Sequence, residues 1–276
     1  MKRLLIAGYG DIARRAAPSL EPRFTVSLVA RALGADLDRP GTLDLAPADA
    51  VLHLAPPTPE GEHDLRTAAL LAALEKTGIL PARVVYVSTS GVYGDCGGAR
   101  VDESRPPAPA TARAMRRLDA ERRLAHWCAS HGAALVILRA PGIYAPDRLP
   151  LERLRARLPV LRAEEDIYTN HIHAEDLAAI TVRALEDGAP PGLYNASDDS
   201  EVKMGEWMDR VADHAGLPRP PRLPREMVRE ALAPLNYSFM MESRRLDNAR
   251  LKRRLGFALR YPTIEQGLAH EPARAH

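Results

Sequence analysis

Short apolar runs alternate along the first half of the chain with longer stretches whose apolar residues recur every three or four positions. Residues 3–7 predict a first strand, 11–20 a helix and 24–30 a second strand. A weak third strand is expected over 42–45 and a better fourth over 50–55, ended by Pro56 and Pro57. Over 62–76 the residues Leu65, Ala68, Ala69, Ala72 and Ala73 keep helical spacing, and Gly78 stops the helix. Residues 84–87 are almost continuously apolar, as a strand covered on both faces must be. A Pro-rich loop over 105–109 leads to a helix over 111–130, and residues 134–138 form the next strand. This rhythm predicts an α/β fold, a doubly wound parallel sheet with helices on both faces.

The second half is less regular. Helices are expected over 174–186, with Glu175 and Asp176 in the first turn, and over 204–215, ended by Gly216. Four prolines within 218–224 mark a loop, and 245–255 is a third helical stretch. Two domains are expected: 1–150 carrying the sheet, and 151–276 a smaller lobe whose 174–187 helix packs back on the first.

Composition narrows the function classes. Among 276 residues, 38 Lys plus Arg face 36 Asp plus Glu, a net charge of +2 without the concentrated positive field that nucleic acid requires. Lysine occurs only at Lys2, Lys76, Lys203 and Lys252, arginine supplying the rest, as a GC-rich coding bias would produce. Two cysteines, Cys96 and Cys128, with no CxxC pair, argue against a disulfide framework or a cysteine zinc site. The opening MKRLLIAGYG breaks at Gly8, and no apolar stretch approaches the roughly 20 residues of a membrane span. A cytoplasmic protein with no membrane partner is expected.

Candidate chemistry begins at Gly8-Tyr9-Gly10-Asp11-Ile12-Ala13, a G-x-G-x-x-A turn between an expected strand and helix. Gly8 permits the tight turn, Gly10 lets a pyrophosphate approach the backbone, Ala13 lets the helix pack closely, and the helix N-terminus offers free N–H groups to the anion. The second strand ends at Arg31 rather than at an acidic residue. A guanidinium there suits a ribose 2′-phosphate, which favours NADP; Asp36 or Asp38 would restore NAD if the loop folds back.

Further segments then line up: Ser88-Thr89-Ser90-Gly91-Val92-Tyr93-Gly94, Arg139-Ala-Pro141-Gly142-Ile143-Tyr144, Asn170-His171-Ile172-His173, Tyr194-Asn195, and Tyr261-Pro262 with Gly267-Leu268. Together they resemble the extended short-chain dehydrogenase/reductase superfamily, the NAD-dependent epimerase/dehydratase family, with its Rossmann-type sheet. The resemblance implies a nicotinamide cofactor lying along Leu54, Ala55, Pro56, Ser88, Pro141, Gly142 and Ile143, with Asp44 near the adenine. It implies that Thr89 bonds the reacting substrate oxygen, and that Ser90, Tyr144, Arg148, Asn170, His173 and Arg244 meet the substrate. A homodimer through the helices 62–76 and 111–130 is implied as well.

One departure concerns the Tyr-x-x-x-Lys pair of that family, which occurs nowhere in this chain. Counting back from Glu121 places Arg113 where the tyrosine belongs and Arg117 where the lysine belongs. Arginine stays protonated and is a poor general acid/base. Arg117 retains the capacity to bond the nicotinamide ribose, and Tyr93 and Tyr144 are the phenols expected near the site. Two functions follow: an oxidoreductase with altered catalytic residues acting on a sugar-nucleotide or another small carbonyl or hydroxyl compound, or a dinucleotide-binding sensor without turnover. His171 and His173 share a face without further ligands at metal spacing, so no metal is expected.

Overall fold

Runs of residues that are apolar on both faces form the central sheet. The computed structural model describes residues 1–78 and 80–270. Its main strands are β1 (Lys2–Ala7), β2 (Phe24–Val29), β3 (Ala50–His53), β4 (Arg83–Thr89), β5 (Ala134–Ala140) and β6 (Gly192–Asn195). They are ordered β2-β1-β3-β4-β5-β6, and every neighbouring pair is parallel. Side chains alternate into two cores. Leu4, Ile6, Val85 and Val87 face α1 (Asp11–Leu20) and α4 (Ala174–Leu185). Leu5, Ala7, Val84 and Tyr86 face α2 (Leu65–Thr77) and α3 (Ala112–His131).

The chain leaves β1 toward one edge and crosses back to β3 on the other side. That reversal opens a crevice at the carboxyl ends of β1 and β3, where such sheets bind ligands.

Three expectations are corrected. Residues 42–45 form no strand: short 3-10 turns at Arg31–Leu33 and Pro40–Thr42 carry the chain past the sheet edge. Leu43 and Leu45 are buried there, so their alternation reports packing without strand pairing. The sheet is not confined to residues 1–150, because β6 comes from 192–195 and pairs with β5. Lastly, 245–255 is not one helix. Arg245–Leu246 pairs as a strand with Arg100–Val101, and only Ala249–Arg253 is helical. Asn248 donates to Ser197 O, Asp198 O and Asp199 Oδ1, and these tertiary bonds override the local helical pattern.

The second lobe has its own core, built on Trp207, Met208 and Val211 of α5 (Met204–His214) together with Val160, Val228 and Met240. Tyr144 reaches into it from the end of the sheet domain. Among the described residues, no helix is long and apolar enough to cross a membrane.

Candidate functional site

The glycine turn sits at the carboxyl end of β1. Gly8 has φ +93°, and a Cβ there would lie 2.5 Å from Ala55 N, so only glycine lets the turn lie against the 54–56 loop. That loop is drawn in by Leu54 and Ala55 N–H groups, both donating to Ala7 O at 2.8 Å. Around Gly10 nothing lies within 4 Å of a Cβ position, and α1 has no side-chain cap. The first N–H groups of α1 are therefore free for an anion, and Ala13 is fully buried beneath them. Asp11 brings a carboxylate to this turn, but Arg15 and Arg148 hold it, at 3.0 and 2.7 Å. Burial alone would raise its pKa; the two guanidiniums outweigh burial and keep it below the usual range.

From this turn a cleft of about 430 Å³ runs toward the sheet edge, past Tyr9, Arg31, Asp36, Ala55, Pro56 and Arg66. Arg31 is exposed, and its side chain makes no hydrogen bond or ion pair among the described residues. The alternative carboxylates are engaged: Asp38 binds Arg66 at 2.6 and 2.7 Å, and Asp36 Oδ1 accepts from Asp38 N at 3.0 Å. Arg66 also donates to the carbonyls of Pro56 and Pro57, locking the loop. Sequence reasoning missed Arg66, whose pairing with Asp38 exists only once the chain is folded. Asp44 stands exposed outside the cleft wall, since the strand that was to carry it does not form.

A second cavity of about 340 Å³ opens between the sheet domain and the second lobe. Thr89, Ser90, Pro141, Gly142, Ile143 and Tyr144 line its sheet side, and Trp207, Phe239 and Arg244 its far side. Thr89 Oγ1 accepts from Gly91 N at 3.2 Å, which leaves its O–H free to donate into the cavity. Gly142–Tyr144 pairs in parallel with His171–His173. His171 lines the cavity, its ring tilted against Trp207 with centroids 4.3 Å apart, whereas His173 is turned away onto Tyr261. Burial pushes His171 down to about 3, so its imidazole is neutral near pH 7.

Several expected site residues are committed elsewhere. Ser88 donates to Glu121 Oε1 at 2.5 Å, within a buried network that includes Arg139. Tyr93 is buried and donates to Asn195 Oδ1 at 2.8 Å, beneath the Arg139 guanidinium, so its phenol does not meet the cavity. Arg117 donates to Tyr86 Oη and Val87 O at 3.0 Å and lines neither cavity, because its side chain runs under β4. Asn170 is on the wall, yet its amide is occupied by Arg244 O and Leu246 N. Tyr144 remains, its hydroxyl 3.4 Å from Thr263 O, and burial raises its pKa well above that of a free phenol. Tyr168 is a second phenol on the wall, which no local pattern announced.

The wall is cationic. Arg113, Arg148, Arg153 and Arg244 face Glu242 as the one carboxylate among the lining residues. Arg244 binds Glu242 at 2.8 Å. Among the described residues, no three His, Cys, Asp or Glu side chains are grouped to hold a metal.

Comparison with known proteins gives concordant matches. The model of the NAD dependent epimerase/dehydratase family matches residues 35–197. GDP-6-deoxy-D-mannose reductase of Pseudomonas aeruginosa is 29% identical over 209 residues, covering 65% of this chain and 68% of that protein. A functionally unknown conserved protein from Silicibacter pomeroyi superposes with a TM-score of 0.77 at 28% identity, over 97% of both chains. A human epimerase family protein solved with NADPH superposes with a TM-score of 0.76 at 20% identity, over 96% of this chain and 97% of that one.

Proposed function

Because the chain belongs to the NAD dependent epimerase/dehydratase family, we propose that it is an NADP-dependent oxidoreductase acting on a sugar nucleotide or a related small carbonyl or hydroxyl compound. The observation that carries this reading is the placement of two sites along the one carboxyl edge of the parallel sheet. The bare α1 N-terminus over Gly10 borders one cleft, and Thr89 with Pro141–Ile143 lines the other. The similarity to a reductase of a GDP-6-deoxy sugar supports the substrate class, as does the arginine-rich wall, which suits phosphate groups.

The cradle at Gly8 and the open space at Gly10 fit a pyrophosphate. When bound, a nicotinamide dinucleotide supplies reversible hydride exchange. This chain's residues do the rest. The first turn of α1 holds the pyrophosphate, Arg31 reads the ribose 2′-phosphate, and Pro141–Ile143 border the nicotinamide end. Thr89 donates its O–H to the substrate oxygen. Tyr144 keeps its proton at neutral pH, so it borders the substrate as a neutral phenol and not as a base.

A second reading is a dinucleotide-binding sensor that does not turn over. It is favoured by Arg113, a permanent cation in the tyrosine's place, and by the commitment of Arg117 to Tyr86 Oη and Val87 O. Fluorescence titration with NADPH and NADH, followed by a sugar-nucleotide panel, separates the readings. NADPH should bind more tightly than NADH, and Arg31→Ala should weaken NADPH by about tenfold while sparing NADH. Turnover abolished by Thr89→Ala supports the enzyme, and binding without turnover supports the sensor. Failure to bind either nucleotide overturns both.

A further inference from the structure

The first turn of α3 abuts the Thr89 turn: a Cβ at Gly91 would lie 3.5 Å from Thr89 Oγ1 and 3.8 Å from Ala114 Cβ. Arg113, immediately before Ala114, lines the same cavity as Thr89. Its guanidinium lies over the Phe239 ring, 4.3 Å from the centroid, and makes no hydrogen bond or ion pair among the described residues. The carboxylate on the wall, Glu242, is taken by Arg244. A half-buried guanidinium that keeps its proton is thus partly withdrawn from bulk water with no carboxylate in contact, Glu242 acting on it only through space. Two further groups on this wall, each nine-tenths buried or more, also have unpartnered nitrogens: Nε of Arg244 and Nδ1 of His171.

We propose that this end of the cavity recognises a carboxylate carried on the reacting part of the substrate, with Arg113 as the specificity-determining residue. A planar guanidinium matches a carboxylate through two parallel hydrogen bonds, which an ammonium does not reproduce. Its place beside the Thr89 turn sets the anion next to the oxygen that Thr89 polarises. The remaining wall arginines are left for any phosphates further out. The inference rests on the proposed role of Thr89 and narrows the substrate to a hydroxy or keto compound bearing an acid group, such as a uronate.

The test is calorimetric titration of the full chain with two matched pairs: UDP-glucuronate against UDP-glucose, and D-glucuronate against D-glucose. In at least one pair the carboxylate member should bind at least about tenfold more tightly. Arg113→Gln should reduce that preference to about threefold or less, with Arg113→Lys intermediate because it keeps the charge and loses the fork. Thermal melts of both variants check that they are folded. If only the free uronate shows an Arg113-dependent preference, the inference stands and the sugar-nucleotide reading falls. If both sugar nucleotides bind alike, Arg113→Gln weakens them equally and the free sugars show no carboxylate preference, the sugar-nucleotide reading stands and the inference is overturned. Absence of a carboxylate preference in both pairs, or its survival in Arg113→Gln, also overturns it.

Discussion

His53, His171 and His173 are buried at the carboxyl edge of the sheet and along the cavity. Burial pushes them down, to about 4, about 3 and about 4 respectively. An imidazole in the unfolded chain takes up a proton near pH 6.5, well above the point at which the folded ones do. The unfolded state therefore binds more protons below pH 6.5, and stability falls as pH is lowered from there toward 4. Between pH 7 and 5 each buried histidine should cost about 2 kcal/mol. Urea midpoints at the two pH values test this, and His171→Phe, which keeps an aromatic ring against Trp207, should lessen the loss. Equal midpoints in the unsubstituted protein would contradict the assignment. The same residues show the limit of local reading: His-x-His places both rings on one face, yet only the fold decides that His171 lines the cavity while His173 packs on Tyr261.

Elements were legible where one stretch of chain supplies its own reason. The glycine turn is such a case, because its backbone demands are local. Gly8 needs a positive φ and a close approach to Ala55, so Gly8→Ala should cost about 2 kcal/mol or more and displace the 54–56 loop. Gly10 has neither demand, with φ −91° and open space at its Cβ position. Gly10→Ala should melt within a few degrees of the unsubstituted protein yet bind NADPH more weakly, its methyl standing before the N–H groups of α1. Melting curves and nucleotide titrations of both variants decide the point; unimpaired NADPH binding by Gly10→Ala would remove the anion site from α1. Elements were misread where partners are remote. Residues 42–45 alternate as a strand but find no neighbour, and 245–246 pairs with residues 100–101 across the molecule.

At the scale of the whole molecule, the C-terminal segment closes the site from behind. Asp176 at the start of α4 accepts from Arg260 N and Tyr261 N at 2.8 and 2.9 Å. The helix Ile264–Leu268 then lays Gly267 against Tyr144, where a Cβ would lie 2.1 Å from the hydroxyl and 2.6 Å from the ring. Gly267→Ala should destabilise the protein by about 1–3 kcal/mol through overpacking and push Tyr144 into the cavity. Denaturant unfolding with a crystal structure of the variant checks both; an unmoved Tyr144 in a fully stable protein would contradict the contact. The sequence by itself determined the parallel α/β sheet, the glycine turn and the succession of family segments. These follow from the periodicity of buried positions and from backbone needs met within a few residues. Tertiary structure alone decided which titratable groups face the cavity. Ser88 and Tyr93 satisfy their polar atoms inside the sheet domain, as burial requires, and the half-buried Arg117 bonds there as well. Arg113, Tyr168 and His171 line the cavity because two lobes from distant parts of the chain meet there.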